Sequence, residues 1–386
     1  RRNVVRPEEF PYETGLGPVL AEGSYLTSVD RLEQAVGYEG FVAEQARARR
    51  QGRHLGLGVS VFNESSGVGS QGLQQLGMPV TTHDTARVRM DPSGKVTVVL
   101  PIASQGQGHA TTMAQVAADA LGVLPEDVTV LDVTSANGYG MGTWASRGAV
   151  IGAGSLLRAA DVVRRKLMLT AAHLLEASAE DIVLEDRKAH VAGSPDRTMP
   201  IADLAGIVYF AGAVRPPDLE PTLEATAAYD PASSVYSNGA HAAVVEVDVE
   251  TGVVRIERFV VVEDCGPMIN PMIVEGQIRG GVAQAIGGAL LEEMVYDDNG
   301  QLLTTTLMDY VLPTAVEVPA IEIHHLETPS EITPGGIKGM GESAMIAAPY
   351  ALLGAVNDAL APLGALVLRL PVTPERVLDA IAAAGA

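Results

Sequence analysis

The spacing of apolar and polar positions changes several times along the chain, and each change predicts a switch of element. Over 25–50, YLTSVDRLEQAVGYEGFVAEQARARR carries helical spacing, with Leu32, Val36 and, beyond a glycine interruption, Phe41 and Ala43 as the expected buried positions. HLGLGVSVFNESSGVG then alternates as a strand, and TARVRMDPSGKVTVVLPIA reads as two strands around an Asp91-Pro92-Ser93-Gly94 turn. At QGQGHATTMAQVAADALG the period moves from 2 to 3.6. Met113, Val116, Ala117, Ala120 and Leu121 fall at helical spacing, behind a Gly106/Gly108 turn. A short strand is expected over 128–133. A second glycine-laden entry, NGYGMGTWASRGAVIGAGSLLRAADVVRRKLMLTAAHLL, leads into a long amphipathic helix, and 181–211 reads as strand, turn and short helix.

Farther on, AAVVEVDVETGVVRIERFVVVEDC is a hairpin turning at Glu250-Thr251-Gly252 and delivering the chain to Cys265. Asn270-Pro271 starts a helix, because Asn is a good N-cap and Pro is tolerated at the first helical position. Gly276, Gly280 and Gly281 inside it cost about 1 kcal/mol each relative to Ala, so something is expected to approach that face closely. VYDDNGQLLTT turns at Asn299-Gly300, AIEIHHLET is strand, and APYALLGAVNDALAPLG is helix. Hairpins followed by helices, without regular βαβ alternation, predict an α+β fold of mixed sheets, hairpins and packed helices.

Composition adds limits. At 386 residues, two or more compact units are expected, and 47% hydrophobic with 41 glycines suits a globular chain rich in tight turns. The net charge of −21 repels nucleic acid and anionic membrane surfaces at long range, so no nucleic-acid partner is expected. Any phosphate would have to be held locally by backbone N–H groups. The single cysteine, Cys265, excludes an internal disulfide and a Cys-ligated iron–sulfur cluster carried by this chain alone. No run approaches the roughly 20 unbroken apolar residues of a membrane span, and a cytoplasmic location is expected. RRNVVRPEEFPYETGLG lacks an initiating Met, which leads to the expectation of a processed piece, a subunit half or an incomplete record.

Three glycine-rich entries into helices could form anion cradles. None closes with the Gly-Lys-Ser/Thr of a P-loop, and none shows a clean dinucleotide fingerprint, so a nicotinamide enzyme fits poorly. Protein-ligated metal also fits poorly: His54, His83, His109, His173, His190 and His241 are scattered, and His324-His325 point to opposite faces of a strand. His109 is read as a hydrogen-bonded loop histidine in preference to a ligand. Cys265 is read as a small buried residue, with a cofactor contact as the alternative. Glu342, in GGIKGMGESAM, has two readings. One is an exposed acid favouring a helix N-terminus, with Lys338 four residues earlier; the other is a general base beside space cleared by Gly335, Gly336, Gly339 and Gly341.

In that order, QGQGHATT, GTWASRGA, EDCGPMINP, GQIRGGVAQAIGGAL, LMDYVLPT and GGIKGMGES resemble the molybdenum-binding subunit of the xanthine dehydrogenase family, especially the bacterial branch that includes aerobic carbon-monoxide dehydrogenase. The resemblance spans essentially the whole chain but only the second half of that subunit. It implies a molybdenum-cofactor-binding domain of the xanthine dehydrogenase/aldehyde oxidase type. Residues 1–52 would be the trailing segment of the first cofactor domain, and 53–386 the second, with sub-domains of roughly 53–230 and 231–386.

The activity implied is that of a molybdenum hydroxylase: a small electron-poor carbon centre is oxidised with water-derived oxygen, and electrons pass to iron–sulfur clusters and FAD on partner chains. The N-terminal half of the subunit is a further implied partner. The implied cofactor is molybdopterin, in the cytosine dinucleotide form, with molybdenum held by the pterin near Gln107 and Glu342 and by no protein side chain. Glu342 matches the family's base. Gln105, Gly106, Gln107, Gly108, His109, Thr111, Thr112, Ala145, Ser146 and Arg147 match positions near the metal, the pterin and its phosphates. Cys265, Asn270, Gln277, Gly281, Gln284, Lys338, Gly339 and Gly341 fall in motifs lining the dinucleotide. One departure is Ala285, a methyl group where a glycine is common, which predicts either a local change of helix packing or crowding of the cofactor. A non-catalytic cofactor-binding or assembly protein of the same fold, or an inactive fragment, is the alternative. Purines, other N-heterocycles, aldehydes and carbon monoxide are all compatible substrates.

Overall fold

The computed structural model describes residues 1–75, 77–131 and 138–385; the end of the strand expected over 128–133 lies outside them. In order, the elements are β1 (Tyr12–Glu13), β2 (Val19–Leu20), α1 (Tyr25–Val36), α2 (Tyr38–Arg50), β3 (His54–Gly67), α3 (Ser70–Gln75), β4 (Asp84–Met90), β5 (Val96–Val99), α4 (His109–Leu121) and β6 (Val128–Leu131). They continue as α5 (Ala153–Leu175), β7 (Ile182–Glu185), β8 (Lys188–Val191), β9 (Ser194–Pro200), α6 (Ile201–Phe210), β10 (Glu224–Tyr229), β11 (Val235–Val247) and β12 (Val254–Asp264). The last are α7 (Pro271–Ile286), β13 (Ile321–Leu326), α8 (Ser343–Leu360) and α9 (Pro374–Ala384).

The first sheet has the order β10-β4-β5-β6, antiparallel except for the β5–β6 pair. Its β4–β5 hairpin turns where Asp91 Oδ1 accepts from the N–H groups of Ser93 (2.8 Å) and Lys95 (3.2 Å) and Gly94 takes φ +83°. Alternation then sends Ala86, Val88, Met90, Val96 and Val98 into a core with Met113 and Leu121 of α4 and Leu156, Val163 and Leu167 of α5. A smaller sheet, β7-β8-β9, joins that core through Ile182, Leu184 and Ala189.

The second sheet has the order β13-β12-β11-β3, with β12 and β13 parallel. β3 pairs along β11 from Gly67↔Val235 to His54↔Val247. The sheet therefore takes one edge strand, β3, from within 53–230 and its other three strands from 231–386. α7 and α8 cover one face, and α1 covers the other by placing Leu32 and Val36 against Ala240, Ala242, Val260 and Val262.

Several local outcomes differ from the pattern reading. Gly37 at φ +68° ends α1 and restarts the helix, which resets its phase: Phe41, Gln45 and Ala48 are buried and Ala43 is exposed. α8 begins at Ser343, ahead of the expected run, with Pro349 inside it. By length and composition the Ser343–Leu363 stretch could cross a bilayer, although Asn357 and Asp358 interrupt its apolar run, and it packs on β3 and β11 as the core helix of the second sheet. In α7 the expected close approach occurs at Gly281, where a Cβ would lie 2.8 Å from Ala344 Cβ; Gly276 and Gly280 face open space instead. Ala285 is fully buried in the core and lines neither cavity described below, so its methyl group fills packing space.

Candidate active site

Four loops meet where α4, α7 and α8 begin. The first enters α4: Gly106 (φ +97°) and Gly108 (φ +77°) take left-handed conformations, and Gly108 caps the helix. A Cβ on Gly108 would strike Ile273 Cδ1 at 2.5 Å, so the glycine lets this turn pack against α7. Gln107 Oε1 accepts from the Gln105 N–H at 2.5 Å, and Thr143 Oγ1 donates to Ala103 O at 2.7 Å, tying this loop to the second.

The second loop is fastened from beneath. Arg147, 1% exposed, makes a 3.0 Å ion pair with the fully buried Asp84 and donates to the carbonyls of Gly142 and Thr82. Above it, Ala145 (φ +47°) and Ser146 (φ +51°) are consecutive non-glycine residues in left-handed conformation, which costs of order 1–3 kcal/mol each. Two contacts hold Ser146: its Oγ accepts from the Glu342 N–H at 3.0 Å and meets Glu64 Oε1 of β3.

The third loop carries Cys265 to Asn270. Asn270 Oδ1 caps α7 by accepting from the Ile273 N–H at 3.2 Å, and its Nδ2 donates to Gln115 Oε1 at 2.9 Å. The fourth loop turns at Gly335 and Gly336, both at positive φ, and runs through Lys338 to Glu342, the N-cap of α8. Its contact with the second loop depends on Gly339, where a Cβ would sit 1.9 Å from the Ser146 carbonyl oxygen.

Two cavities open between these loops. One, of about 190 Å³, is lined by Gln105, Gln107, His109, Thr112, Ala145, Ser146, Cys265, Asn270, Gln277, Lys338, Gly341 and Glu342, with apolar walls from Met113, Ile269, Ile273 and Met340. The other, of about 740 Å³, runs along the glycine face of α7, past Gly276, Gln277, Gly280, Gly281 and Gln284 to Gly341 and Glu342. Ala145, Gln277, Gly341 and the exposed Glu342 border both. Of the residues singled out from sequence, Gly106, Gly108, Thr111, Arg147 and Gly339 line neither cavity. The glycines shape the loops, and Arg147 spends its guanidinium on Asp84.

Lys338, expected in a motif lining the dinucleotide, lies on the wall of the smaller cavity. Its buried ammonium lies 3.3 Å from Glu22 Oε1, in the segment before α1. Cys265 is buried, and burial pushes its thiol up, away from thiolate. Sequence reasoning missed a pair of buried acids under the site. Glu64, 5% exposed, meets Ser146 Oγ and accepts from Ser237 Oγ at 3.2 Å; burial pushes it up to about 7, against the pull of those two hydroxyls. Glu263, fully buried on β12, meets Ser343 Oγ and is pushed up to about 8 by burial. An acid closing the apolar run VVVED was the available signal for Glu263.

Residues 31–319 match the model of the molybdopterin cofactor-binding domain. The chain is 51% identical over 381 residues to the nicotine 6-hydroxylase large subunit of Paenarthrobacter nicotinovorans, covering 98% of this chain and 46% of that one. It is 38% identical to the carbon monoxide dehydrogenase large chain of Afipia carboxidovorans, covering 96% and 46%. Among solved structures, quinoline 2-oxidoreductase from Pseudomonas putida 86 superposes with a TM-score of 0.96 at 58% identity, covering 99% and 48%; Cu,Mo-CO dehydrogenase does so at 0.92 and 36%, covering 100% and 49%. The chain thus spans about half the length of the relatives it matches. With the family model covering most of the chain, this protein belongs to the molybdopterin cofactor-binding domain family, in the xanthine dehydrogenase class of molybdenum subunits.

Proposed function

We propose that this chain is the cofactor-holding, base-bearing half of a molybdenum hydroxylase acting on a ring carbon of an electron-poor aromatic N-heterocycle. One observation carries the reading: Glu342 stands at the shared border of two cavities, its main chain fixed by Ser146. The residues present suit a pterin dinucleotide. Added Cβ atoms at Gly276 and Gly280 would meet nothing within 4 Å, so the glycine face of α7 leaves room for an extended ligand. Gln105, Gln107 and Gln277 offer amide donors along the walls.

When bound, such a group supplies two-electron redox chemistry at its metal. The chain's own part is to bind, orient and move one proton. Glu342 takes up that proton on its carboxylate, and its exposure lets it return the proton to water. Gln107 and Ser146 orient the ligand from opposite loops, while Met113, Ile273 and Met340 keep water from one wall. The heterocycle assignment rests on similarity: relatives named for nicotine and quinoline stand at 51% and 58% identity, against 38% and 36% for those named for carbon monoxide. The same reading includes a cytosine dinucleotide cofactor, a complementary half of the subunit, iron–sulfur and FAD chains as electron acceptors, and a cytoplasmic setting.

The test is Glu342→Gln in the assembled, cofactor-loaded enzyme with quinoline or nicotine as substrate. Turnover should fall by a factor of roughly 10²–10⁴ with molybdenum content unchanged. Wild-type turnover in that variant overturns the assignment of the base. Bound pterin with no turnover in the wild type, on any substrate, would make the chain a cofactor carrier.

A further inference from the structure

Ser146 lies on the wall of the smaller cavity, and its hydroxyl has one hydrogen to give. Its oxygen already accepts from the Glu342 N–H, and Glu64, which lines the larger cavity but not the smaller one, places Oε1 within hydrogen-bond distance of it. If Glu64 were ionised, the serine hydrogen would have to point at it, leaving only a lone pair toward the cavity. If Glu64 is neutral, its own O–H donates to Ser146 Oγ. Both lone pairs of that oxygen are then used, and the serine hydrogen is free to point outward.

The surroundings of Glu64 decide between these states. It is 5% exposed, and no cation lies within ion-pair distance of it among the described residues. The charged or titratable groups facing it are both acids, Glu342 at the cap of α8 and Glu263 of β12; its hydrogen-bonding neighbours Ser146 and Ser237 are neutral. A buried carboxylate between two acids and without a cation is held as the acid. Glu64 is pushed up to about 7, which places the change of state within reach of ordinary buffers.

We propose that Glu64 is a positioning residue: as the neutral acid it donates to Ser146 Oγ and so turns the Ser146 hydroxyl into a donor to an anionic group of the ligand in the cavity. Ligand binding and proton retention at Glu64 are thereby coupled, and each favours the other. The inference rests on the reading of the cavity as an anionic-cofactor site, but not on Glu342 being the base.

The experiment uses the assembled holoenzyme and follows retained molybdenum and pterin after dialysis, together with the infrared carbonyl band of protonated carboxyl groups. In the wild type, cofactor affinity should weaken about tenfold per pH unit once pH exceeds about 7. Glu64→Gln, whose amide always donates, should hold cofactor with no such pH dependence, and Glu64→Leu should hold it weakly at every pH. Ser146→Ala should also lose the pH dependence, at the weak level, and serves if the Glu64 variants do not assemble. A wild-type pH profile that survives unchanged in Glu64→Gln overturns the proposal, as does equal retention by Glu64→Gln and Glu64→Leu. Failure of the Glu342→Gln turnover test would leave these outcomes intact, so the two readings fail separately.

Discussion

The N–H of Glu342 donates a 3.0 Å hydrogen bond to Ser146 Oγ across 196 positions of sequence. It joins the cap of α8 to a loop whose residues 145 and 146 are both in left-handed conformation, so the candidate base is aimed by a strained turn held from three sides. Arg147 and Asp84 anchor that turn from below, Glu64 from the side and Glu342 from above. This arrangement separates residues that hold the site together from residues that leave space in it.

Gly339→Ala and Gly276→Ala should therefore act oppositely. At Gly339 the new Cβ would overlap the Ser146 carbonyl, forcing the two loops apart at a cost of about 3 kcal/mol or more. At Gly276 it meets nothing, and alanine should stabilise the helix by about 0.5–1 kcal/mol while reducing cofactor content. Thermal unfolding and molybdenum analysis on the two variants check both signs.

Asp84→Asn leaves Arg147 buried without its counter-charge, and the expected loss is about 3–5 kcal/mol by urea unfolding. Arg147→Lys should not rescue the loop, because one ammonium cannot replace a planar fork that reaches Asp84 and the carbonyls of Gly142 and Thr82 together.

Burial pushes Glu263 up to about 8, from an ordinary value of 4.5. Between those values the folded chain keeps a proton that the unfolded chain has released, so stability falls as pH rises and levels off above about pH 8. Glu64 acts with the same sign up to about 7. Glu263→Gln should remove its share of the slope and exceed the wild type in urea unfolding at about pH 8.5, by an amount on the order of a few kcal/mol.

His241 lies between the rings of Phe62 and Phe259, with neither nitrogen hydrogen-bonded among the described residues, and burial lowers it to about 3. The unfolded chain takes up a proton below about 6.5 that the folded chain refuses, so this residue costs stability as pH falls from 6.5 toward 3. His241→Leu should be neutral or stabilising at pH 7, and should raise the melting temperature at about pH 5 relative to wild type.

Local signals carried much of this fold. The Gly106/Gly108 entry to α4, the Asn270 cap of α7 and the Asp91–Gly94 turn are decided by neighbours within a few residues, and the pattern of the chain shows them. Ala43 failed for an equally local reason, since Gly37 reset the helical phase before it. Tertiary structure alone decided the rest. Glu64 sits in an alternating strand where an acid ordinarily faces water, and it is buried because β11, α8 and the 145–146 loop close over it. Lys338 lies beside Glu22 and Arg147 beside Asp84, partners that sequence spacing does not show, because charges pair with whatever the fold brings near them. Sequence determined which segments turn, cap and alternate, since those depend on short-range sterics. Which acids lose their water, and what stands beside Glu342, depended on strands and helices far apart in the chain meeting in one place.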